Sequence, residues 1–241
     1  MTGNKIAVIV LIGLVIIAGF VWLYQKNSDD GSPQVINQPN VVRYLPLGDS
    51  YTIGNLVNEE DRWPNQLARE YMPGGKTLKI LDNPAVSGYT TQDLIDRELP
   101  LVARLKPDFV TVLIGANDYA RGTDAQTFEA NLRYIIGQIK QEMAQPTNIL
   151  LVTIPDYAKT SAGANFRDPT QATNGIKNFN QIITNVGAEE KLPVADVFEA
   201  SQAVANDPEL TAKDGLHPSA KQYGIWAGII KAKLVESKIA N

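Results

Sequence analysis

The chain has 241 residues, carries 22 basic against 26 acidic side chains, and contains no cysteine and one histidine. Disulfides, thiolate catalysis and Cys- or His-rich metal sites are thereby excluded, and mild acidity without a long basic run argues against nucleic acid as a partner. Beyond the first forty residues about two hundred remain, enough for one sizeable hydrophobic core.

Ile6 to Tyr24 is an uncharged apolar run closing with Trp22 and Tyr24, preceded by Lys5. Its length suits a membrane-spanning helix, which needs about 20 residues, and its aromatics fall where an interfacial belt would sit. The rival is a cleaved secretory signal, but no small-x-small cleavage site follows the run. Residues 1–24 are therefore expected to be an uncleaved signal anchor that leaves the rest of the chain outside the cytoplasm. Residues 25–40, rich in Asn, Asp, Ser, Gln, Gly and Pro, read as a flexible tether. A single domain is expected over residues 41–241.

Within it, Val41 to Leu47 is a β-branched and apolar first strand running into Gly48-Asp49-Ser50. The acidic cluster Glu59-Glu60-Asp61 reads as a solvated loop rather than a carboxylate metal site. Trp63 to Met72 is expected to be helical, with Trp63, Leu67 and Tyr71 on one face. Leu78 to Leu81 is a second strand, followed by the loop Asp82 to Gly88. Thr91 to Leu105 is a helix with a bend at Pro100. Phe109 to Ile114 is an uninterrupted buried strand and leads into Gly115-Ala116-Asn117-Asp118. Thr123 is expected to cap a helix over 124–144, on which Phe128, Leu132, Ile135, Ile136 and Ile139 form a core stripe. Ile149 to Ile154 is the fourth strand. A long polar loop from Tyr157 to Gly175 precedes a helix from Ile176 to Lys191, and Val194 to Val197 is a short fifth strand. Ser219 to Glu236 closes the domain as a helix, with Tyr223, Trp226, Ile230 and Leu234 inward.

Strands alternating with helices call for an α/β sandwich with a mostly parallel sheet. The polar segments quoted above follow strands and so converge on one edge of that sheet, where open α/β folds bind ligands. A serine there needs a base, a group to orient the base, and donors for an oxyanion. His217 is the only available imidazole. Asp214, three residues ahead across a glycine-containing turn, can meet its Nδ1; the alternative is a capping aspartate beside an incidental surface histidine. Asn117 can present its side-chain amide beside Ser50, or be an Asx-turn residue at a strand end. Gly88 offers an unobstructed N–H, or is a loop glycine.

Taken together, Leu47-Gly48-Asp49-Ser50-Tyr51-Thr52, Asn83-Pro84-Ala85-Val86-Ser87-Gly88-Tyr89-Thr90, Ile114-Gly115-Ala116-Asn117-Asp118 and Asp214-Gly215-Leu216-His217-Pro218 stand in order at successive strand ends. This pattern resembles the SGNH (GDSL-type) serine hydrolases, most of all the short lysophospholipase and thioesterase-I-like members, over the whole domain. The second block is the looser match, because Pro84 stands where many relatives are expected to have alanine. The resemblance implies a flavodoxin-like three-layer sandwich with a five-stranded parallel sheet. It implies Ser50 as nucleophile, His217 as general base and acid, and Asp214 as the group orienting the histidine. The Ser50 and Gly88 N–H groups, with the Asn117 side chain, would form the oxyanion hole.

The activity so implied is hydrolysis of carboxylic esters (lipid, lysophospholipid or small acyl) by a membrane-tethered enzyme needing neither cofactor nor metal. The same residues would serve a carbohydrate O-acetylesterase or an O-acyltransferase of the cell envelope. The loop from Tyr157, with Asn165, Phe166 and Arg167, suits either an acyl chain or a sugar. A non-catalytic binding module is the alternative of another class. No Gly-x-Ser-x-Gly elbow, Gly-x-Gly-x-x-Gly turn or Walker loop follows any strand.

Overall fold

Residues 40–70, 73–166 and 168–240 are described by a computed structural model. The expected membrane helix and tether, and Tyr71, Met72 and Arg167, lie outside them. Among the described residues no helix is long and apolar enough to cross a membrane.

Five strands form one parallel sheet: β1 (Val41–Gly48), β2 (Thr77–Ile80), β3 (Phe109–Leu113), β4 (Ile149–Val152) and β5 (Val194–Ala195), in the order β2-β1-β3-β4-β5. Every residue of β3 and β4 is buried, as expected for parallel strands covered on both faces. Their unbroken Phe-Val-Thr-Val-Leu and Ile-Leu-Leu-Val runs are the reason these strands sit centrally. The one polar member of β3, Thr111, bonds the Tyr44 hydroxyl at 2.8 Å, which satisfies two groups that burial would otherwise leave unpaired.

The longer helices are α2 (Trp63–Glu70), α3 (Thr91–Arg97), α4 (Leu99–Leu105), α6 (Ala125–Glu142), α7 (Pro169–Glu190) and α9 (Ala220–Ser237). The short α1 (Ser50–Ile53), α5 (Ala116–Arg121) and α8 (Phe198–Ser201) follow β1, β3 and β5. α2 packs with α9, while α6 packs with α3, α4 and α7, so the sheet is sandwiched between two helical layers. The α6 stripe of Phe128, Leu132, Ile135, Ile136 and Ile139 is buried throughout, each side chain contributing about 1.5–3 kcal/mol. On α9, Tyr223, Trp226, Ile230 and Leu234 are buried as the spacing foretold.

Three expectations are corrected. Asp124, not Thr123, caps α6, its carboxylate accepting the Thr127 N–H at 2.9 Å. The expected single helix over 91–105 is two, divided at Glu98, two residues before Pro100. The segment expected to be loop as far as Gly175 is already α7 from Pro169, with Asp168 accepting the Gln171 N–H at 2.8 Å. The rest of that segment holds 3₁₀ turns at Tyr157–Lys159 and Gly163–Asn165.

The order 2-1-3-4-5 places a topological switch between β1 and β3, and a crevice opens there outside the carboxyl ends of the strands. Ser50 stands at the end of β1 and Asn117 at the end of β3, on its two sides.

Candidate active site

β1 ends at Gly48, whose φ is +156°. A Cβ at this position would lie 2.3 Å from the Leu113 carbonyl oxygen and 2.4 Å from Thr52 Oγ1, so only glycine lets the chain turn here. Asp49 follows as the cap of α1, its Oδ1 accepting the Tyr51 N–H at 2.9 Å. Ser50 is the first residue of α1 and is 6% exposed, in contact with the crevice.

Gly88 lies on the loop between β2 and α3, with φ +88° in the left-handed region. Two bonds fix its surroundings. The Arg121 guanidinium donates to the Gly88 carbonyl at 2.8 Å, and Thr90 and Asp93 form a reciprocal capping box at the start of α3. Asn117 is held in turn by Gly115, where a Cβ would lie 2.6 Å from the Phe128 ring. The Asn117 amide donates to the Tyr89 carbonyl at 3.0 Å and lies 3.4 Å from Asp49 Oδ2. The β1 turn, the Gly88 loop and the β3 turn are thus tied together through one side chain.

The segment bearing Asp214 and His217 is pinned as a hairpin. Ala212 N–H donates to the His217 carbonyl at 2.7 Å, Ser219 N–H donates to Leu210 at 2.9 Å, and Gly215 turns with φ +68°. Asp214 Oδ1 accepts the N–H groups of Leu216 and His217, both at 3.0 Å. Its Oδ2 lies 2.6 Å from His217 Nδ1. A carboxylate can only accept, so the imidazole proton sits on Nδ1 and Nε2 is left with a lone pair. Burial works to raise the Asp214 pKa, but the bonds from the imidazole and the two backbone N–H groups outweigh it and hold the carboxyl below its ordinary value. The Tyr51 ring, 5.8 Å from the imidazole between centroids, packs beside it.

Ser50, Gly88, Asn117 and His217 line one cleft of about 180 Å³. Asp214 reaches it only through the histidine. The four sequence blocks therefore meet at one place. Of the apolar part of the wall, formed by Ala116, Ala120, Tyr157 and Leu216, the sequence pointed only to Tyr157, at the start of the loop expected to meet the substrate. Ala116 and Leu216 are immediate neighbours of site residues, which is the only signal the chain carried for them.

Beneath the cleft lies a buried acidic layer. Asp49 is fully buried, and burial, aided by the nearby Asp118 and opposed by the Tyr51 N–H, raises its pKa to about 7. Asp118 is also pushed upward by burial, against its bonds to the Thr91 N–H and hydroxyl. The consequence has a definite sign. Between the ordinary carboxylate value and about 7, folded Asp49 keeps a proton that the unfolded chain has released, so stability falls as pH rises through that window and levels off above it. Asp49→Asn should shrink the stability loss between about pH 4.5 and about pH 7.5 by about 1–3 kcal/mol, read from urea unfolding at the two values. An unchanged loss in the variant would refute this account of Asp49.

A family model described as GDSL-like Lipase/Acylhydrolase matches residues 47–225. An arylesterase of Vibrio mimicus is 26% identical over 194 residues, 80% of this chain and 88% of that protein. Thioesterase 1/protease 1/lysophospholipase L1 of Escherichia coli K12 is 27% identical over 175 residues, 73% of this chain and 74% of that protein. The crystal structure of a lipase/acylhydrolase from Enterococcus faecalis is similar with a TM-score of 0.64 at 29% identity, covering 80% of this chain and 95% of that one.

Proposed function

Since the chain belongs to the GDSL-like lipase/acylhydrolase family and is a carboxylic ester hydrolase of that type, we propose that Ser50 is its nucleophile, His217 its general base and acid, and Asp214 the residue that orients the imidazole. The observation carrying this reading is the 2.6 Å bond between His217 and Asp214, which frees Nε2 on the cleft that Ser50 also lines. Ser50 Oγ adds to the ester carbonyl while His217 Nε2 accepts the hydroxyl proton. The oxyanion that forms is met by the Ser50 and Gly88 N–H groups and the Asn117 amide. Collapse expels the alcohol, which takes the proton from His217 and leaves an acyl-serine. Water, deprotonated by the same nitrogen, then releases the acid.

The cleft is smaller than the roughly 300–1,000 Å³ of most ligand pockets, which favours a short acyl group. A carbohydrate O-acetyl ester is the second reading, supported by Phe166, a 65% exposed ring on the cleft wall where a sugar face can stack. Hydrolysis of p-nitrophenyl esters from acetyl to lauroyl, compared with an acetylated oligosaccharide, tests both. The rate should peak at the shortest acyl groups, and a peak at long chains would rule out the short-acyl assignment. We also propose that the run Ile6–Tyr24 anchors the enzyme with its domain outside the cytoplasm, the support being the length and apolarity of that run. The full chain should then stay with membranes through an alkaline carbonate wash.

A further inference from the structure

Glu98 is charged by composition, yet it is completely buried at the break between α3 and α4. Its Oε2 accepts the Gly48 N–H at 3.0 Å, and its Oε1 has no partner among the described residues. The reason for that bond lies in the sheet. Arg43 accepts a bond from Asp108, on the segment leading into β3, and Tyr44 accepts one from Leu81, just beyond β2. Alternation then directs Pro46 and Gly48 towards the β2 side. β2, however, pairs with β1 only as far as Tyr44. Pro46 tolerates the missing neighbour because it has no N–H to satisfy. Gly48 does not, and the Glu98 carboxyl replaces the strand that stops short.

We propose that Glu98 is a positioning residue for the nucleophile, its carboxyl oxygen holding the Gly48 N–H and with it the turn that aims Ser50 and its N–H into the cleft. The inference rests on the assignment of Ser50 as nucleophile. Gly48 stands two residues before Ser50, and its Cα is hemmed in by Leu113 and Thr52. A shift at this point therefore passes directly into α1. Burial pushes the Glu98 carboxyl well above its ordinary range, against the Gly48 N–H bond, and the equally buried Asp49 pushes it the same way, so an uncharged oxygen is the fitting replacement acceptor.

Three variants test this. Glu98→Gln keeps a neutral acceptor of the same length, and its kcat should stay within about twofold of the parent. Glu98→Met fills the volume with no acceptor. Its melting temperature should fall by a few degrees, because the buried Gly48 N–H loses its acceptor, while kcat falls about tenfold and KM changes less than about twofold. Glu98→Asp withdraws the acceptor and should lose kcat likewise, which keeps the test alive should the methionine variant fail to fold. Labelling by a serine-directed phosphonate, located by mass spectrometry, separates the two levels of the argument. If the parent is not labelled at Ser50, the nucleophile assignment is wrong. If the parent is labelled there and the folded Met or Asp variant reacts at the parental rate with parental kcat, the role given to Glu98 is overturned. A Gln variant as slow as the Met variant would overturn the neutral-acceptor argument as well.

Discussion

Ser50→Ala should lower kcat/KM for p-nitrophenyl acetate by at least about 10⁴-fold while leaving the fold intact. The residue is small and lies at the first position of α1, where the turn is held by bonds that do not involve its hydroxyl. These are the Asp49 carboxylate to the Tyr51 N–H and the Asp49 carbonyl to the N–H groups of Thr52 and Ile53. Removing one oxygen deletes no packing atom of the core, so the melting temperature should move by no more than a few degrees. The Gly88 and Asn117 donors and the Ser50 N–H remain, so substrate should still bind and KM should change by less than about threefold. A variant that hydrolyses the ester within tenfold of the parent would remove Ser50 from the chemistry and force the search to another side chain of the cleft.

How far these conclusions were legible in the sequence depends on how local the signal is. β3 and β4 are read directly because their side chains are apolar on both faces, and the α6 and α9 stripes because long helices repeat their core positions. The start of α7 was missed because its first turns are polar and contain Gly175, which reads as a loop residue. The glycine is there because the Tyr119 ring lies against it, 2.1 Å from where a Cβ would be, and such a contact between distant segments leaves no periodic trace. Asp168-Pro169 is a cap followed by proline at the first helical position, a local start signal set inside a polar stretch. The short α1 and α5 have too few turns for any period to show.

The site was legible as an ordered set of blocks, since each block carries its chemistry within a few residues. Glu98 was not, because a glutamate in a helix ordinarily faces solvent. One signal existed. Leu94, Glu98 and Val102 fall four residues apart, and both apolar members are buried. A carboxyl interrupting such a stripe marks a buried acid with a task, a reading that requires knowing where β2 ends.

Asp214→Asn should cost about 10³–10⁴ in kcat, nearly as much as losing the base, although almost no geometry changes. Asparagine can keep an oxygen in the Oδ1 position, so the N–H groups of Leu216 and His217 retain their acceptor. The amide nitrogen then faces His217 Nδ1, 2.6 Å from the present Oδ2. Being a donor, it requires a lone pair on Nδ1 and drives the imidazole proton to Nε2. A protonated Nε2 cannot accept the Ser50 proton, so the loss arises from the tautomer and not from position. The same substitution removes an acid-sensitive term. Asp214 is held below its ordinary value, so its contribution to stability is full above the unfolded pKa and is lost only as pH falls through the lower folded one. The variant should therefore melt with a flatter dependence on pH at the acid end. Because the chain has a single histidine, the ¹⁵N spectrum of the imidazole reports the tautomer without assignment work: Nδ1 should carry the proton in the parent and Nε2 in the variant. A variant with the parental tautomer and kcat within tenfold would show that Asp214 does not orient the base, and His217 would then owe its alignment to the Ala212–His217 hairpin alone.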